Sequence, residues 1–352
     1  MVRLFLFEQI EQPLLLRKNT MIHTQISKNN NALFNPKLIK KTIHTADILI
    51  NGEIPDKSKK IIERRLSNLA LDLESKERTL ANDFLVFFKE LLGYKSSGDQ
   101  KNAKSWDIEP EYLGIDYALG EFSKVQKSVF VPFEFKSPKT YDLTRPIGRT
   151  ESTVNQAIRY AANTEGTAKW FLVSNCIEFR LYKFPESTRK YEQWFLEDLI
   201  KPEEYARFVL LLKKENLLGG ATEKLFNDSQ QQEKEITDQL YRDYRQLRID
   251  LINGLKKENN SIRRKAMVRI GQKLLDRMLF IAFAEDRDLL PNNTLHNRIF
   301  EIPNAVFSGW EAIKKLFSDI NIGNSKFDIP AYNGGLFAPD AELESLTISD
   351  EL

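Results

Sequence analysis

The sequence predicts an α/β domain followed by an all-α domain, and three features of the apolar pattern support this fold class. Between residues 112 and 184, short apolar runs alternate with polar residues at the period of two that is typical of β-strands. Helical runs at 80–91 and 153–164 precede and divide these strands, so the order is helix, strand, strand, helix, strand, strand. After Pro185 the apolar residues recur at helical spacing instead.

The composition is that of an ordinary globular protein, with 41% hydrophobic and 29% charged residues. The net charge is only +2, so any surface that binds nucleic acid has to be a local patch. The single cysteine, Cys176, excludes an intramolecular disulfide and a cysteine-rich zinc site, and it fits a reducing cytoplasm. No apolar run is long enough to cross a bilayer, so we predict a cytoplasmic protein without a membrane partner.

We predict four segments: an N-terminal extension of helix and loop over 1–66, the α/β domain over 67–190, a helical domain over 191–300 and a loop-rich tail over 301–352. Either Met1 or Met21 is the start. The run ERTLANDFLVFFKELLGY predicts the first helix of the α/β domain, with Gly93 as its C-cap, and residues 95–111 are expected to form a loop. In the helical domain, the polar stretch NDSQQQEKE is expected to separate two helices.

The two strands within 112–138 each carry an acidic residue where an apolar one is expected. Asp116 lies on a strand face otherwise made of glycine and alanine, which leaves space beside its carboxylate. In the next strand Glu134 and Lys136 share one face. The apolar face of that strand consists of Val131, Phe133 and Phe135. Two acids and an amine on neighbouring strands are suited to holding a divalent cation against a phosphate.

This arrangement predicts phosphodiester hydrolysis, which needs a cation to polarise the phosphoryl group and to lower the pKa of the attacking water. Asp116 and Glu134, with the backbone carbonyl of Phe135, are the predicted ligands of Mg²⁺, for which Mn²⁺ is a possible substitute. Lys136 is predicted to orient or deprotonate the water or to offset phosphate charge. The alternative is a surface strand with a Glu–Lys pair and an isolated aspartate.

The helix after these strands carries Gln156 and Tyr160, which share one face because they are four residues apart. Both are predicted to act in catalysis, by contacting a phosphate or the water. The alternative is an amphipathic helix whose Tyr160 packs on the sheet.

The order of helix, Asp116 strand, Glu-x-Lys strand, Gln-x-x-x-Tyr helix and strand resembles the PD-(D/E)XK nuclease superfamily, in its RecB-like QxxxY branch. Ile115 stands where the motif usually has proline, a common departure. The resemblance implies a nuclease core with a mixed central sheet flanked by helices, and catalytic Asp116, Glu134 and Lys136. It also implies that Glu77, at the start of the first helix, is an accessory metal ligand.

Two stretches of the second half are GQKLLDRMLFIAFAEDRDLLP at 271–291 and YNGGLFAPD at 332–340. They resemble the helical connector of type IIG/IIL restriction–modification enzymes, in which one chain carries a nuclease, a connector, an adenine-N6 methyltransferase and a target-recognition domain. The sequence has no Asn-Pro-Pro-Tyr or Asp-Pro-Pro-Tyr motif and no glycine-rich S-adenosylmethionine loop. S-adenosylmethionine is therefore expected only through a downstream or partner methyltransferase, and the chain is expected to be a front-end fragment or a separate nuclease subunit.

Candidate contacts to DNA phosphates lie around the expected cleft. They are Lys124, Lys127, Lys139, Arg145 and Arg149. A second basic group lies on the helix that begins near residue 261, and it is either a phosphate-binding surface or the solvated face of an amphipathic helix. Its members are Arg263, Arg264, Lys265, Arg269, Lys273 and Arg277. The three histidines are scattered and predict no metal site.

Two functions remain as alternatives. The first is the site-specific, Mg²⁺-dependent endonuclease domain of a type IIG-like bacterial restriction–modification system that acts on double-stranded DNA in phage defence. The second is a non-catalytic DNA-binding or interaction module, or a subunit of a restriction or phage-defence complex, that retains the nuclease fold while other domains sense and methylate the target.

Overall fold

The computed structural model describes residues 32–72, 77–99, 103–148, 150–297, 309–332 and 334–349. The chain divides into two compact units, Met1–Lys234 and Glu235–Leu352. None of the helices in the described ranges combines the length and the apolar character that crossing a bilayer requires.

The described part of the first unit contains six α-helices that lie wholly within it. They are α1 (Pro36–Thr45), α2 (Asp56–Asp72), α3 (Glu77–Leu92), α4 (Thr153–Ala162), α5 (Pro202–Leu212) and α6 (Lys214–Leu217), and a 3₁₀ turn spans Leu196–Ile200. Helix α3 confirms the predicted first helix of the α/β domain. Gly93 follows it with φ of +80° and donates its N–H to the carbonyl of Lys89 at 2.9 Å, which confirms the predicted C-cap.

One six-stranded sheet forms the centre of the first unit, with its strands in sequence order. The strands are β1 (Ser105–Tyr112), β2 (Ile115–Ser123), β3 (Lys127–Phe135), β4 (Trp170–Ser174), β5 (Glu178–Lys183) and β6 (Glu192–Phe195). Only β3 and β4 pair in parallel, and all other neighbours are antiparallel. Helix α4 provides the crossover between β3 and β4. The predicted α/β class with a mixed sheet and flanking helices is confirmed.

The two faces of this sheet are covered by different helices. On one face Phe84 of α3 is fully buried among aromatic rings of its own helix and of the sheet. Its neighbours, with ring centroids 4.6 to 6.2 Å away, are Phe87, Phe88, Phe133, Phe135 and Phe179. This confirms that the apolar residues of β3 share one face. On the opposite face Ala157 of α4 packs with Phe171 and Val173 of β4. The residues of β3 that lie between these apolar residues, including Glu134, therefore face the side of the sheet covered by α4.

Several boundaries differ from the prediction. Residues 105–111, which the sequence predicts as part of a loop, belong to β1, where Trp106 and Ile108 are buried against β2. The charged residues between and after them, together with Pro110, hid the period of two. Leu113 lies in the turn between β1 and β2 and not in a strand. Its φ is +55°, and it is 70% exposed. Strand β6 and helices α5 and α6 belong to the first unit, although their residues fall within the segment predicted as the helical domain.

Within the described residues, five further α-helices follow α6. They are α7 (Ala221–Glu258), which passes from the first unit into the second, α8 (Arg264–Asp286), α9 (Thr294–His296), α10 (Gly309–Ile322) and the short α11 (Ala341–Glu344). A 3₁₀ turn spans Ser325–Phe327. Helix α7 runs without a break through NDSQQQEKE, so the predicted interruption there is wrong. Glutamine, glutamate and lysine are good helix formers, and the stretch has no glycine or proline.

Three members of the basic group, Arg263, Arg264 and Lys265, are exposed, and a phosphate-binding role for them stays a prediction. The other three make contacts within the second unit. Lys273 pairs with Asp340 at 2.7 Å, and Arg269 pairs with the same carboxylate at 3.5 Å. Arg277 is only 1% exposed. These contacts attach the end of the YNGGLFAPD motif to α8 within the second unit.

We predict that Phe84→Ala destabilises the first unit by about 3–5 kcal/mol, because it removes a ring at the centre of the aromatic cluster. Urea unfolding followed by tryptophan fluorescence measures this loss. Val86→Ala is the matched control, since Val86 lies on the same helix but is 46% exposed and is expected to change stability by less than about 1 kcal/mol. Equal effects of the two substitutions would contradict this description of the core.

Candidate active site

The register of β2 and β3 places Asp116 and Glu134 next to each other. Tyr117 lies opposite Phe133, and Ala118 lies opposite Pro132. Continuing this antiparallel register by one residue puts Asp116 opposite Glu134. Residues in such positions have Cβ atoms about 4.5–5.5 Å apart, on the same face of the sheet. The pairing thus brings together two carboxylates that are far apart in sequence.

Lys136 joins the two carboxylates. Its Nζ donates to Asp116 Oδ2 at 3.2 Å and also hydrogen-bonds to Glu134 Oε1. Asp116 Oδ2 accepts a second hydrogen bond from the backbone N–H of Phe135 at 2.8 Å. The backbone N–H of Lys136 donates to the carbonyl of Ser174 at 2.8 Å, which holds this residue beside the end of β4. The structure therefore brings the three predicted catalytic side chains into direct contact.

The three groups differ in their access to solvent. The side chain of Asp116 is 38% exposed, whereas that of Lys136 is 5% exposed and that of Glu134 is 1% exposed. Asp116 thus forms the open side of the site. Glu134 Oε2 is buried and has no hydrogen-bond partner among the described residues. A buried carboxylate oxygen without a partner is costly, and it favours either a proton or a cation at that position.

Burial raises the pKa of Glu134 to about 8, and the negative charge of Asp116 acts in the same direction. The ammonium of Lys136 opposes this shift but does not cancel it. The metal-free site therefore favours a protonated Glu134 at neutral pH. A cation that binds to Glu134 has to displace this proton, so its affinity is expected to rise with pH.

The donor set fits a magnesium ion. Mg²⁺ prefers oxygen ligands and is usually held by one or two carboxylates, with water and substrate phosphate filling the other positions. Asp116 and Glu134 supply two carboxylates, and the buried Glu134 Oε2 is an oxygen that no described residue satisfies. Within the described ranges no group of three or more His, Cys, Asp or Glu residues surrounds one point. The Lys136 ammonium already contacts both carboxylates, as a bridging cation would.

For two further predicted ligands, Phe135 and Glu77, the structure describes only part of the residue's surroundings. The backbone of Phe135 lies between Glu134 and Lys136, with its N–H directed to Asp116, and the role of its carbonyl stays a prediction. Helix α3 begins at Glu77, but the side chain of Glu77 lies outside the described part of the chain.

Gln156 and Tyr160 contact each other on α4, as their spacing predicts. Gln156 Nε2 donates to the hydroxyl of Tyr160 at 3.2 Å, and both residues are half-buried. A Cβ atom on Gly114 would lie 3.6 Å from the Tyr160 hydroxyl, so this hydroxyl lies beside the turn that precedes Asp116. Tyr160 also packs against a cluster that includes Ile115, which agrees with the alternative of a tyrosine packed on the sheet. Its catalytic role stays a prediction.

The candidate phosphate contacts fall into two places. Lys139 is exposed three residues after Lys136, and Arg145 is exposed and pairs with Asp142 at 3.3 Å. Arg149 lies outside the described residues.

Lys124 and Lys127 lie at the other end of the β2–β3 hairpin. Lys127 begins β3 and pairs with Glu109 at 3.4 Å. At about 3.3 Å per residue, the length of β3 separates Lys127 from Glu134 by roughly 20 Å. These two lysines do not border the carboxylates.

Sequence reasoning missed a charged residue on the same sheet face. Glu134 is the neighbour of Val173, which in turn lies opposite Arg180 of β5. Because β5 lies two strands away from β3, the backbone of Arg180 is roughly 10 Å from that of Glu134. Arg180 is 9% exposed and is held by an ion pair with Glu178. The alternation of charged and apolar residues in EFRLYK was the available signal, because a buried strand seldom carries so many charges.

Comparison with known protein families, with curated proteins and with solved structures finds no match to this chain.

We predict that the metal-free protein loses stability as pH rises between about 4.5 and about 8 because of Glu134. In this range the folded chain keeps a proton on Glu134 that the unfolded chain has released. The free energy of unfolding therefore falls with rising pH, by about 1 kcal/mol per pH unit. Urea unfolding in EDTA across this range measures the slope, which Glu134→Gln should reduce by that amount. Glu121→Gln, an exposed position on β2, should leave it unchanged. Equal slopes in wild type and Glu134→Gln would contradict the raised pKa.

Proposed function

We propose that the first unit is an Mg²⁺-dependent DNA endonuclease domain of the PD-(D/E)XK type. One observation carries the proposal: Lys136 contacts carboxylates from two neighbouring strands, and one buried oxygen of this group has no partner among the described residues. The resemblance of the sequence motifs to that superfamily supports the same reaction, the hydrolysis of a phosphodiester. The mixed sheet with a crossover helix between β3 and β4 is compatible with such a core.

When bound, a divalent cation would neutralise charge on the phosphoryl group and lower the pKa of a water molecule. Asp116 and Glu134 would hold it, with Asp116 on the solvent side where substrate can approach. Glu134 must give up its proton first. Lys136, released from one or both carboxylates, would then have a free ammonium to orient the water or to bind a phosphate oxygen.

The groups around the carboxylates would position double-stranded DNA. Lys139 is exposed close to Lys136 in sequence and offers a charge to a backbone phosphate. The Tyr160 hydroxyl and the Gln156 amide lie on the same side of the sheet as Asp116 and would contact the phosphate or the water. Mn²⁺ would substitute for Mg²⁺, since it also accepts oxygen ligands.

The biological setting we propose is restriction–modification. It rests on the resemblance of residues 271–291 and 332–340 to the connector of type IIG/IIL enzymes. In that setting an adenine-N6 methyltransferase and a target-recognition domain act together with this chain, and S-adenosylmethionine binds to the methyltransferase.

A second candidate function is DNA binding or interaction without catalysis. The observation that favours it is that Lys136 occupies the position between both carboxylates. If this arrangement persisted in the presence of Mg²⁺, the site would be an internal ion-pair cluster that stabilises the fold of a binding module.

We predict that the protein nicks supercoiled plasmid DNA in the presence of Mg²⁺ or Mn²⁺, and that Glu134→Gln or Lys136→Ala lowers the rate by about 100-fold or more. The reason is that each substitution removes a group that holds the cation or stabilises transferred charge. S-adenosylmethionine is included in all reactions. Agarose gel analysis of the conversion of supercoiled to open-circular plasmid gives the rates.

Glu121→Gln is the matched control for this experiment, because it makes the same chemical change on the same hairpin at an exposed position. It is expected to cut like the wild type. Cleavage that persists in both Glu134→Gln and Lys136→Ala would refute the site. Plasmid binding without cleavage by any of the proteins, together with unchanged Lys136 contacts in Mg²⁺, would favour the binding module.

A further inference from the structure

An exposed tyrosine follows the carboxylate site closely along the chain. Lys136 leads into a β-turn over residues 137–140, in which the N–H of Thr140 donates to the carbonyl of Ser137 at 2.9 Å. Tyr141 comes directly after this turn and is 61% exposed. Because a β-turn holds its two end residues within about 7 Å of each other, the backbone of Tyr141 lies at most about 15 Å from that of Lys136.

The backbone is fixed on both sides of Tyr141. Before it, Asn175 Nδ2 donates to the carbonyl of Thr140 at 2.9 Å, and both of these residues are buried. After it, Leu143 is fully buried in a cluster with Val154, and its carbonyl accepts a hydrogen bond from the N–H of Val154 at 3.1 Å. The fold therefore holds Tyr141 at a defined position while its side chain lies in solvent.

The ring of Tyr141 is available to a ligand. Among the described residues, Tyr141 forms no hydrogen bond, ring contact or cation–π contact. A single exposed apolar residue is common on protein surfaces and by itself indicates no function. The charges on either side of this ring are the second observation.

Two accessible cations flank Tyr141 on the same segment. Lys139 is exposed and forms no ion pair among the described residues. The side chain of Arg145 is 79% exposed, and its ion pair with Asp142 at 3.3 Å is a surface contact that contributes little. An exposed ring between cations is suited to single-stranded nucleic acid, because the cations contact phosphates and the ring stacks on a base.

We propose that residues 139–145 bind unpaired DNA, with the ring of Tyr141 stacked on a base and with Lys139 and Arg145 on phosphates. The inference rests on the proposed function, since it takes DNA as the substrate. At 3.4 Å per nucleotide, a strand held at the carboxylates reaches Tyr141 within about four or five nucleotides. The selected substrate class is DNA with an unpaired nucleotide near the scissile bond, either single-stranded or a locally opened duplex, because a paired base has no free face for stacking.

Fluorescence anisotropy of labelled DNA in EDTA measures binding by the full chain without cleavage. Three probes of one sequence are compared: a fully paired duplex, the same duplex with a short unpaired loop, and the single strand. The wild type is expected to bind the two probes with unpaired bases at least about fivefold more tightly than the paired duplex.

Substitutions of Tyr141 test the role of its ring. Tyr141→Ala is expected to bind the two unpaired probes about tenfold more weakly, which is the effect of losing one stacked base. Tyr141→Phe keeps the ring and should bind like the wild type. Tyr241→Ala is the matched control, since Tyr241 is 74% exposed on α7 and lies in the second unit. It should also bind like the wild type.

Four results would overturn the proposal. They are the absence of binding to all three probes, equal binding of the three probes by the wild type, wild-type affinity in Tyr141→Ala, and binding by Tyr141→Phe as weak as that by Tyr141→Ala. Plasmid nicking separates this inference from the proposed function. Mg²⁺-dependent nicking with unchanged binding by Tyr141→Ala would retain the nuclease and remove the role of Tyr141. Binding that depends on Tyr141, without nicking by the wild type, would support the binding segment and count against the nuclease.

Discussion

The contact between Lys136 and two carboxylates from neighbouring strands is the interaction on which the candidate site of the first unit depends. Burial removes hydration from Glu134, and the neighbouring charge of Asp116 repels its carboxylate, so the pKa of Glu134 rises to about 8. The ammonium of Lys136 compensates only in part and leaves one buried oxygen of Glu134 without a partner among the described residues. Because such a cluster costs free energy in a sheet, it is the feature on which our proposal of cation and substrate binding rests.

The rest of the first unit holds this cluster in place. The antiparallel register of β2 and β3 sets Asp116 opposite Glu134, and a shift by one residue would turn Glu134 into the aromatic core. Phe84 and its neighbours make such a shift costly, because Phe133 and Phe135 fill the opposite face. The parallel pairing with β4 fixes the backbone of Lys136. A rigid sheet therefore supports the polar groups, as precise placement of a reactive site requires.

Much of this arrangement was predictable from local pattern, and the remainder was not, for physical reasons. The alternation in β3 and the four-residue spacing on α4 correctly predicted which residues share a face, because these periods follow from backbone geometry. Strand β1 was missed because Pro110 and flanking charges masked Trp106 and Ile108. Helix α7 was predicted as interrupted because a polar stretch was mistaken for a loop. The positions of Lys127 and Arg277 depend on long-range packing, which no local pattern encodes.

A crystal of the protein soaked in Mn²⁺ and measured at the manganese absorption edge tests the central claim most directly. We predict an anomalous difference peak coordinated by Asp116 and Glu134, with the Lys136 ammonium moved away from at least one of these carboxylates. No peak at this position, with Lys136 still bonded to both carboxylates, would contradict it and would leave an internal ion-pair cluster in its place.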